Sequence, residues 1–266
     1  MTASFHLSSP NRLALSQVTL CAVTSVNVEA TVRALEACLE QVAFADCMLF
    51  TDAPVRSGHP DIRVMPITRL DSTAAYSNFM LFQLADYVKT SHCLIVQWDG
   101  YVLDARRWRA EFLDCDYIGA SWPQFDDGHD VGNGGFSLRS RRLMDACRSA
   151  EFVSGHPEDV AICRTNRAFL DRQGMRFASR ELADLFAAER AGDPTVSFGF
   201  HGIFNMPQVI GVEAFWDTYR TLDDRSSLSR DFGPLLKALR NGRGSIFRAI
   251  RMIADRACDI AGSRSR

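Results

Sequence analysis

Carboxylates, one histidine and a run of glycines are the parts of this chain that could do chemistry. Asp99 stands in Gln97-Trp98-Asp99-Gly100, just past the apolar stretch Cys93 to Val96. A carboxylate at the end of a buried strand can hold a divalent cation, because hard cations take oxygen ligands. Glu158 and Asp159 follow Pro157 and open a helical stretch. A carboxylate there can take the proton of a hydroxyl. Both have plainer readings, as a turn aspartate and as a pair complementing a helix dipole. His201, in Phe198-Gly199-Phe200-His201-Gly202, could ligate a metal as a neutral imidazole or simply be polar surface. The run Val131-Gly132-Asn133-Gly134-Gly135 lets main chain come close to a ligand. These groups together describe a pocket that holds a small polar ligand by backbone and works on it with acid.

The spacing also excludes chemistries. The glycine run lacks G-x-G-x-x-G and precedes a strand, so it is no dinucleotide fingerprint. A phosphate-binding loop of the G-x-x-x-x-G-K-[ST] type is absent, as is the G-x-S-x-G elbow of serine hydrolases.

The elements that must position these residues alternate. Apolar runs at Val18 to Val23, Cys47 to Phe50, Ile62 to Met65 and Cys93 to Val96 predict buried strands. Helical spacing predicts helices over Val28 to Val42 and Ala74 to Lys89. This rhythm implies a largely parallel sheet with helices on both faces. Ligands of such sheets sit at the carboxyl ends of strands, which is where Thr24-Ser25, Thr51-Asp52 and Gln97-Trp98-Asp99 fall. Further along, a short helix is expected over Arg106 to Phe112, strands at Tyr117 to Ala120 and Gly135 to Leu138, and helices at Arg142 to Cys147, Glu158 to Arg172 and Leu182 to Ala188.

With 266 residues, 47% of them apolar, the chain can bury a full core. Its net charge of −2 gives no reason to expect nucleic acid. The eight cysteines form no C-x-x-C pair and read as buried thiols of a reducing cytoplasm. Residues 1–16 read as a loose lead-in without the pattern of a signal peptide. From Gly233 onward eight basic residues face two acidic ones, a net +6. There Leu235, Leu236, Leu239, Ile246, Phe247, Ile250, Ile253 and Ile260 recur at near-helical spacing, interrupted at Asn241-Gly242-Arg243-Gly244. Two basic amphipathic helices follow, suited to an anionic membrane surface or to packing on the domain.

Taken in order, Gln97 to Leu103, Asp116 to Ala120, Gly132 to Arg139, Pro157-Glu158-Asp159 and Phe198 to Gly202 resemble a bacterial family long described as of unknown function. That family is similar to nucleotide-sugar glycosyltransferases of the GT-A fold. The resemblance spans about residues 17–215. It implies a GT-A-like, Rossmann-like mixed sheet, largely parallel and flanked by helices, over 17–221, with 222–266 as a C-terminal helical tail. It implies a nucleotide over Thr24, Ser25 and Asp52, with Tyr76 and Ser77 near the sugar or phosphates. Gln97-Trp98-Asp99 stands where the family's D-x-D would, with glutamine in place of the first aspartate. Asp99 and His201 would hold Mn²⁺ or Mg²⁺, Asn133, Gly134 and Gly135 would face sugar or acceptor, and Asp159 would act as base with Glu158 second in line. The implied activity is transfer from a UDP-sugar to a glycan or lipid-linked acceptor in surface polysaccharide synthesis, at the inner face of the plasma membrane. A nucleotidyltransferase and a non-catalytic nucleotide- or sugar-binding module are the rival readings. The first is disfavoured because Thr24 to Glu29 has no Lys or Arg.

Overall fold

The computed structural model describes residues 12–55, 58–242 and 244–263. Alternate residues of each central strand are apolar in both directions, so both faces of the sheet must be covered. Strand β1 (Leu13–Val23) gives Leu20 and Ala22 to one face and Cys21 and Val23 to the other. Leu49 is likewise opposed to Met48 and Phe50 on β2 (Val42–Thr51), and Leu94 and Val96 to Cys93 and Ile95 on β4 (His92–Val96). Helix α1 (Val28–Gln41) covers the first face with Leu35, Cys38 and Leu39. Phe79, Met80 and Leu84, after α2 (Thr73–Asn78), cover the second.

The six-stranded sheet has the order β3-β2-β1-β4-β8-β5, where β3 is Ile62–Pro66, β5 Tyr117–Ile118 and β8 Phe136–Ser140. Strands β3, β2, β1 and β4 are parallel, and β8 runs antiparallel to both β4 and β5. From β1 the chain goes to β2 on one side and later to β4 on the other. The gap between β1 and β4 at their carboxyl ends is therefore a topological switch point. The reversal of β8 pairs Phe136 with Val96, which carries the glycine run to the same edge of the sheet.

Short pieces complete the molecule. A hairpin joins β6 (Ala120–Ser121) to β7 (Val131–Gly132), and α3 (Arg141–Ala146) follows β8. Glu158 opens α4 (Glu158–Val160), which continues through a π-helical turn at Ala161–Thr165 into α5 (Arg167–Arg172). Helix α6 (Arg180–Phe186) runs into β9 (Ala187–Ala188), which pairs in parallel with β10 (Gly199–Phe200). Then come α7 (Met206–Val209), α8 (Gly211–Tyr219), α9 (Phe232–Ala238) and α10 (Ser245–Ser263).

Several boundaries differ from expectation. The strand predicted from Val18 begins at Leu13, because Leu13 to Leu15 pair with Val42 to Phe44. The lead-in is thus shorter at its end, and residues 1–11 lie outside the described ones. The helix predicted over Ala74 to Lys89 is α-helical only to Asn78, then passes through π and 3-10 turns to Asp86. Arg106 to Phe112 is two 3-10 turns, Ala105–Arg107 and Ala110–Asp114, rather than one helix. Ala187 and Ala188 leave their predicted helix for the β9 pairing. All eight cysteines are free thiols, seven of them buried and Cys258 exposed.

The C-terminal region is not loose. Leu222, Leu228, Leu235, Leu239 and Met252 are buried in one cluster with Ala30, Phe200, Ile203, Phe215 and Trp216. The boundary expected between 221 and 222 falls inside this cluster.

Gly119, between β5 and β6, tests how tightly this edge is built. A Cβ there would lie 1.8 Å from the carbonyl oxygen of Gly132, which is backbone and cannot turn away. Gly119→Ala is expected to cost about 3 kcal/mol, read as a fall in the midpoint of denaturant unfolding. An unchanged midpoint would refute the packing of this edge.

Candidate active site

A cavity of about 360 Å³ opens at the switch point, lined by Thr24, Ser25, Leu70, Asp71, Ser72, Thr73, Tyr76, Gln97, Trp98 and Asp224 among others. A larger cavity, about 650 Å³, lies elsewhere between Glu40-Gln41, Leu103 to Arg107 and Pro194-Thr195, and none of the residues singled out from the sequence lines it. The smaller one is lined by the ends of β1 and β4. Thr24 follows β1 directly, and its N–H donates to the Phe50 carbonyl (2.9 Å). Ser25 Oγ accepts the Leu70 N–H (2.9 Å), tying the β1 end to the segment that leads into α2. Asp52 is exposed and stands off the cavity, beside Arg69 (3.5 Å). A hydrogen bond with Ser25 holds its carboxyl below the ordinary range.

The β4 end turns sharply, with the Gly100 N–H donating to the Gln97 carbonyl (3.0 Å). The turn sends Gln97 and Trp98 to the cavity and Asp99 beneath it, only 6% exposed. Gln97 Nε2 donates to the Tyr76 hydroxyl (3.1 Å), while its Oε1 lies 3.3 Å from His201 Nε2. Burial and the nearby Glu158 push the Tyr76 hydroxyl up, so it stays neutral.

His201 links these groups. Its Nε2 is 3.5 Å from Asp99 Oδ1 and its Nδ1 is 3.2 Å from Glu189 Oε1. The other Asp99 oxygen accepts the Ile203 N–H (3.1 Å). Burial works against charge on the imidazole, but Asp99 and Glu189 outweigh it and push His201 up to about 10. The ring therefore carries a proton between two carboxylates. The same arrangement fits a divalent cation. When Nδ1–H is donated to Glu189, the Nε2 lone pair of the neutral ring points toward Asp99 Oδ1 and Gln97 Oε1, the pattern of a ligating histidine oriented by an outer carboxylate. Only two of those three atoms come from ionisable side chains. Among the described residues no group of three or more His, Cys, Asp or Glu is arranged as a metal site.

The glycine run is where the loop meets the rest of the site. A Cβ on Gly135 would lie 2.0 Å from His201 Nε2, and one on Gly134 would lie 2.3 Å from Glu158 Oε1. The room these glycines leave is thus occupied first by protein side chains. Asn133 adopts the left-handed backbone (φ 73°), with its Oδ1 accepting the Gly135 N–H (2.9 Å) and its carbonyl accepting the Tyr117 hydroxyl (2.9 Å). Its Nδ2 is buried and has no hydrogen-bond partner, a loss of about 1–3 kcal/mol unless something accepts from it.

Asp159 and Glu158 have different surroundings. Asp159 is half-buried and accepts the Gly134 N–H (3.0 Å) on Oδ2 and the Val160 N–H (2.8 Å) on Oδ1. Burial, followed by the neighbouring Glu158, raises its pKa above the ordinary value. Glu158 is only 4% exposed. It pairs with Arg139 (3.0 Å) and lies within 3.4 Å of Ser77 Oγ, which also meets His156 Nδ1 (2.9 Å). Ser77 is buried against Glu158 and does not line the cavity. Burial opposes the charge on Arg139, and Tyr117, Glu158 and Tyr76 around it outweigh that effect.

Of the residues singled out from the sequence, Thr24, Ser25, Tyr76, Gln97 and Trp98 line the cavity. Asp99 and His201 meet below it, and Gly134 joins Asp159. Asp52 sits one contact away through Ser25, and Ser77 sits behind the cavity against Glu158. Arg139, Glu189 and Asp224 were not read as functional. Arg139 had a visible signal, a cation at the end of the apolar strand Phe136 to Ser140. Glu189 and Asp224 had none, since each arrives by a long-range contact.

The family described as a protein of unknown function (DUF5672) matches residues 60–201, more than half of the chain. No curated protein matches. Among solved structures the chain is similar to the mannosyltransferase PcManGT from Pyrobaculum calidifontis, in complex with GDP-Man and Mn²⁺. The two are 12% identical, with 94% of this chain and 76% of that one covered and a TM-score of 0.44.

The His201 proton gives a pH signature. Its folded pKa of about 10 lies above the unfolded value, so its contribution is complete below about pH 6.5 and is lost as pH rises through about 10. Without divalent cations, unfolding stability is expected to fall across that window in the native chain, and His201→Gln should remove this part of the slope. Identical slopes would place the proton elsewhere.

Proposed function

We propose, for a chain that belongs to the DUF5672 family, that it is a glycosyltransferase. It moves a sugar from a nucleotide-diphosphate sugar, a UDP-sugar in the first instance, to a glycan or lipid-linked acceptor in surface polysaccharide synthesis. One observation carries this reading: four stretches far apart in sequence meet one another behind the β4 turn, whose Gln97 and Trp98 line the switch-point cavity. They are the β4 turn with Asp99, the loop Asn133 to Gly135, the pair Glu158-Asp159 and His201.

In this reading the nucleoside lies against Thr24, Ser25, Tyr76 and Trp98, and the transferred sugar lies toward Asn133 to Gly135. The orphan Nδ2 of Asn133 supplies a donor on that side. The acceptor hydroxyl approaches Asp159. Its oxygen bonds to the anomeric carbon as the bond from that carbon to the diphosphate oxygen breaks. The proton passes to Asp159, and the electron pair leaves with the nucleotide diphosphate. A raised carboxyl pKa makes Asp159 a better base than an ordinary aspartate. Glu158, held by Arg139 and Ser77, is a positioning residue under it. Asp99 and His201, with Gln97, would hold Mn²⁺ or Mg²⁺, which neutralises charge developing on the diphosphate. Among the described residues no Lys, Arg or His lines the cavity to do so.

The test is release of free nucleotide from a panel of UDP- and GDP-linked sugars, with and without Mn²⁺, with thermal stabilisation measured in parallel. Transfer is expected to need the cation and to drop at least about 100-fold in Asp159→Asn. Its acidic limb should lie above the ordinary aspartate range and vanish in that variant. No stabilisation by any nucleotide or nucleotide sugar would defeat the reading, full transfer by Asp159→Asn would remove Asp159 as the base, and stabilisation without any transfer would leave only a binding module.

We also place the chain on the cytoplasmic face of the membrane that carries the acceptor. The support is α10, which buries Met252 and bonds Asp255 to the Tyr219 hydroxyl (2.9 Å) on one side. Ile246, Phe247, Ile250, Ile253 and Ile260 are 46 to 77% exposed on the other. Among the described residues no helix is long and apolar enough to cross a membrane, so this contact would be peripheral. The native chain is expected to float with vesicles containing phosphatidylserine, and Ile246→Ser/Phe247→Ser/Ile250→Ser to stay in the dense fraction. Equal flotation would remove α10 as the contact.

A further inference from the structure

The cavity wall includes one carboxylate from a part of the chain that the resemblance leaves out. Asp224 lies between α8 and α9, 125 positions beyond Asp99, and lines the cavity opposite the β4 turn together with Thr24 and Ser25. It is held there by a clamp. Asn27, only 3% exposed and in the left-handed backbone (φ 52°), accepts the N–H groups of Asp223 and Asp224 on its Oδ1, both at 3.0 Å. Its Nδ2 donates to the Asp224 carbonyl (2.8 Å), and its own N–H donates to the Asp223 carboxylate (2.5 Å). Four hydrogen bonds, two of them to the backbone of residue 224 and two to Asp223, thus hold this pair against the turn that follows β1. The Asp224 carboxylate uses Oδ1 to accept the Ser226 N–H (2.7 Å). Its other oxygen has no hydrogen-bond partner among the described residues.

The chemistry of the lining says which part of a ligand belongs here. Among the described residues its charged side chains are Asp71 and Asp224, its hydroxyls come from Thr24, Ser25, Thr31, Ser72, Thr73 and Tyr76, and Trp98 offers a flat apolar face. Among these described residues a diphosphate would meet two negative charges and no positive one. A ribose and a base would instead meet acceptors for their O–H and N–H groups and an aromatic wall for stacking. We infer that Asp224 is a ligand-binding residue that accepts hydrogen bonds from the nucleoside half of the donor, and so sets which nucleoside the cavity takes. This rests on the donor-binding reading above and extends it to a residue outside the β1, β2 and β4 ends. The Asn27 clamp is the positioning device, and it brings Asp224 to the cavity wall.

Calorimetric titration of the full-length chain tests this, using UDP, GDP, CDP and ADP, the 2′-deoxy and 3′-deoxy forms of the tightest of them, and inorganic pyrophosphate. Native protein should prefer one ribonucleoside diphosphate. Asp224→Asn should bind it about ten-fold or more weakly, as expected for losing a hydrogen bond to a charged group. It should also lose the native discrimination among bases, or between the ribose and one deoxy form, whichever donor Asp224 reads. Pyrophosphate should bind the variant no more weakly than the native chain. Asparagine can still accept the Ser226 N–H, and Asp224→Ser, which keeps a capping oxygen but withdraws the carboxylate, should show the same loss with an unchanged thermal midpoint. Binding by Asp224→Asn that is as tight as native, or tighter, with discrimination intact, would overturn this inference alone. A native chain that unfolds cooperatively yet binds none of the four diphosphates would overturn the donor reading and this inference with it.

Discussion

His201 can reach the underside of the β4 turn only because Gly135 has no side chain. A methyl group there would stand 2.0 Å from the ring nitrogen that faces Asp99 and Gln97. The neighbouring Gly134 makes the same allowance for Glu158, and its N–H anchors Asp159. Two missing Cβ atoms therefore let three separately positioned groups, the imidazole and both carboxylates, close on one loop. The reversed strand β8 delivers that loop to the carboxyl ends of β1 and β4. Each remaining feature of the site rests on this contact: the tautomer or proton that Glu189 selects, the orientation of Gln97 between Tyr76 and His201, and the exposure of Asp159 above a buried Glu158.

That buried Glu158 is paired with Arg139, and both are almost inaccessible to water. Such a pair adds little net stability, since desolvation offsets attraction, but breaking one half leaves a charge stranded. Its value here is geometric. Arg139 sits on β8, and Glu158 opens α4, so the pair fixes the helix that carries Asp159 relative to the sheet. The 5.5 Å approach of the guanidinium to the Tyr117 ring and its hydrogen bond to Ser137 (3.1 Å) complete the surroundings of the charge.

The parallel part of the sheet was legible because its strands are short apolar runs ended by polar residues, and both faces are buried. Thr24, Ser25, Gln97 and Trp98 could be placed at one cavity from that pattern alone, since strand ends in such sheets converge. The helix after Thr73 and the one after Arg180 were less legible at their ends. Periodicity does not distinguish an α-turn from a π-turn at Phe79–Gln83, nor does it show that Ala187-Ala188 would find Gly199-Phe200 to pair with. The glycine run was read as room for a ligand. Its nearest neighbours are His201 and Glu158, which sequence spacing could not reveal because they arrive 66 and 23 positions later than Gly135. Asp224 was invisible for the same reason, and it falls in the 222–266 stretch that the resemblance sets apart as a C-terminal tail.

The Asn27 clamp joins residues nearly 200 positions apart. Closing so long a loop carries an entropic cost that grows only slowly with length, yet it must be met before the cavity has its far wall. A ligand that touches Asp224 as well as Thr24 and Ser25 would bridge both sides of that closure, so its binding and the docking of Asp224 would be thermodynamically linked. Filling the pocket would then fasten the C-terminal region to the sheet, and loosening that region would weaken binding. The helix α10 is carried by this same region, which couples whatever holds its exposed face to the state of the cavity at the other end of the cluster.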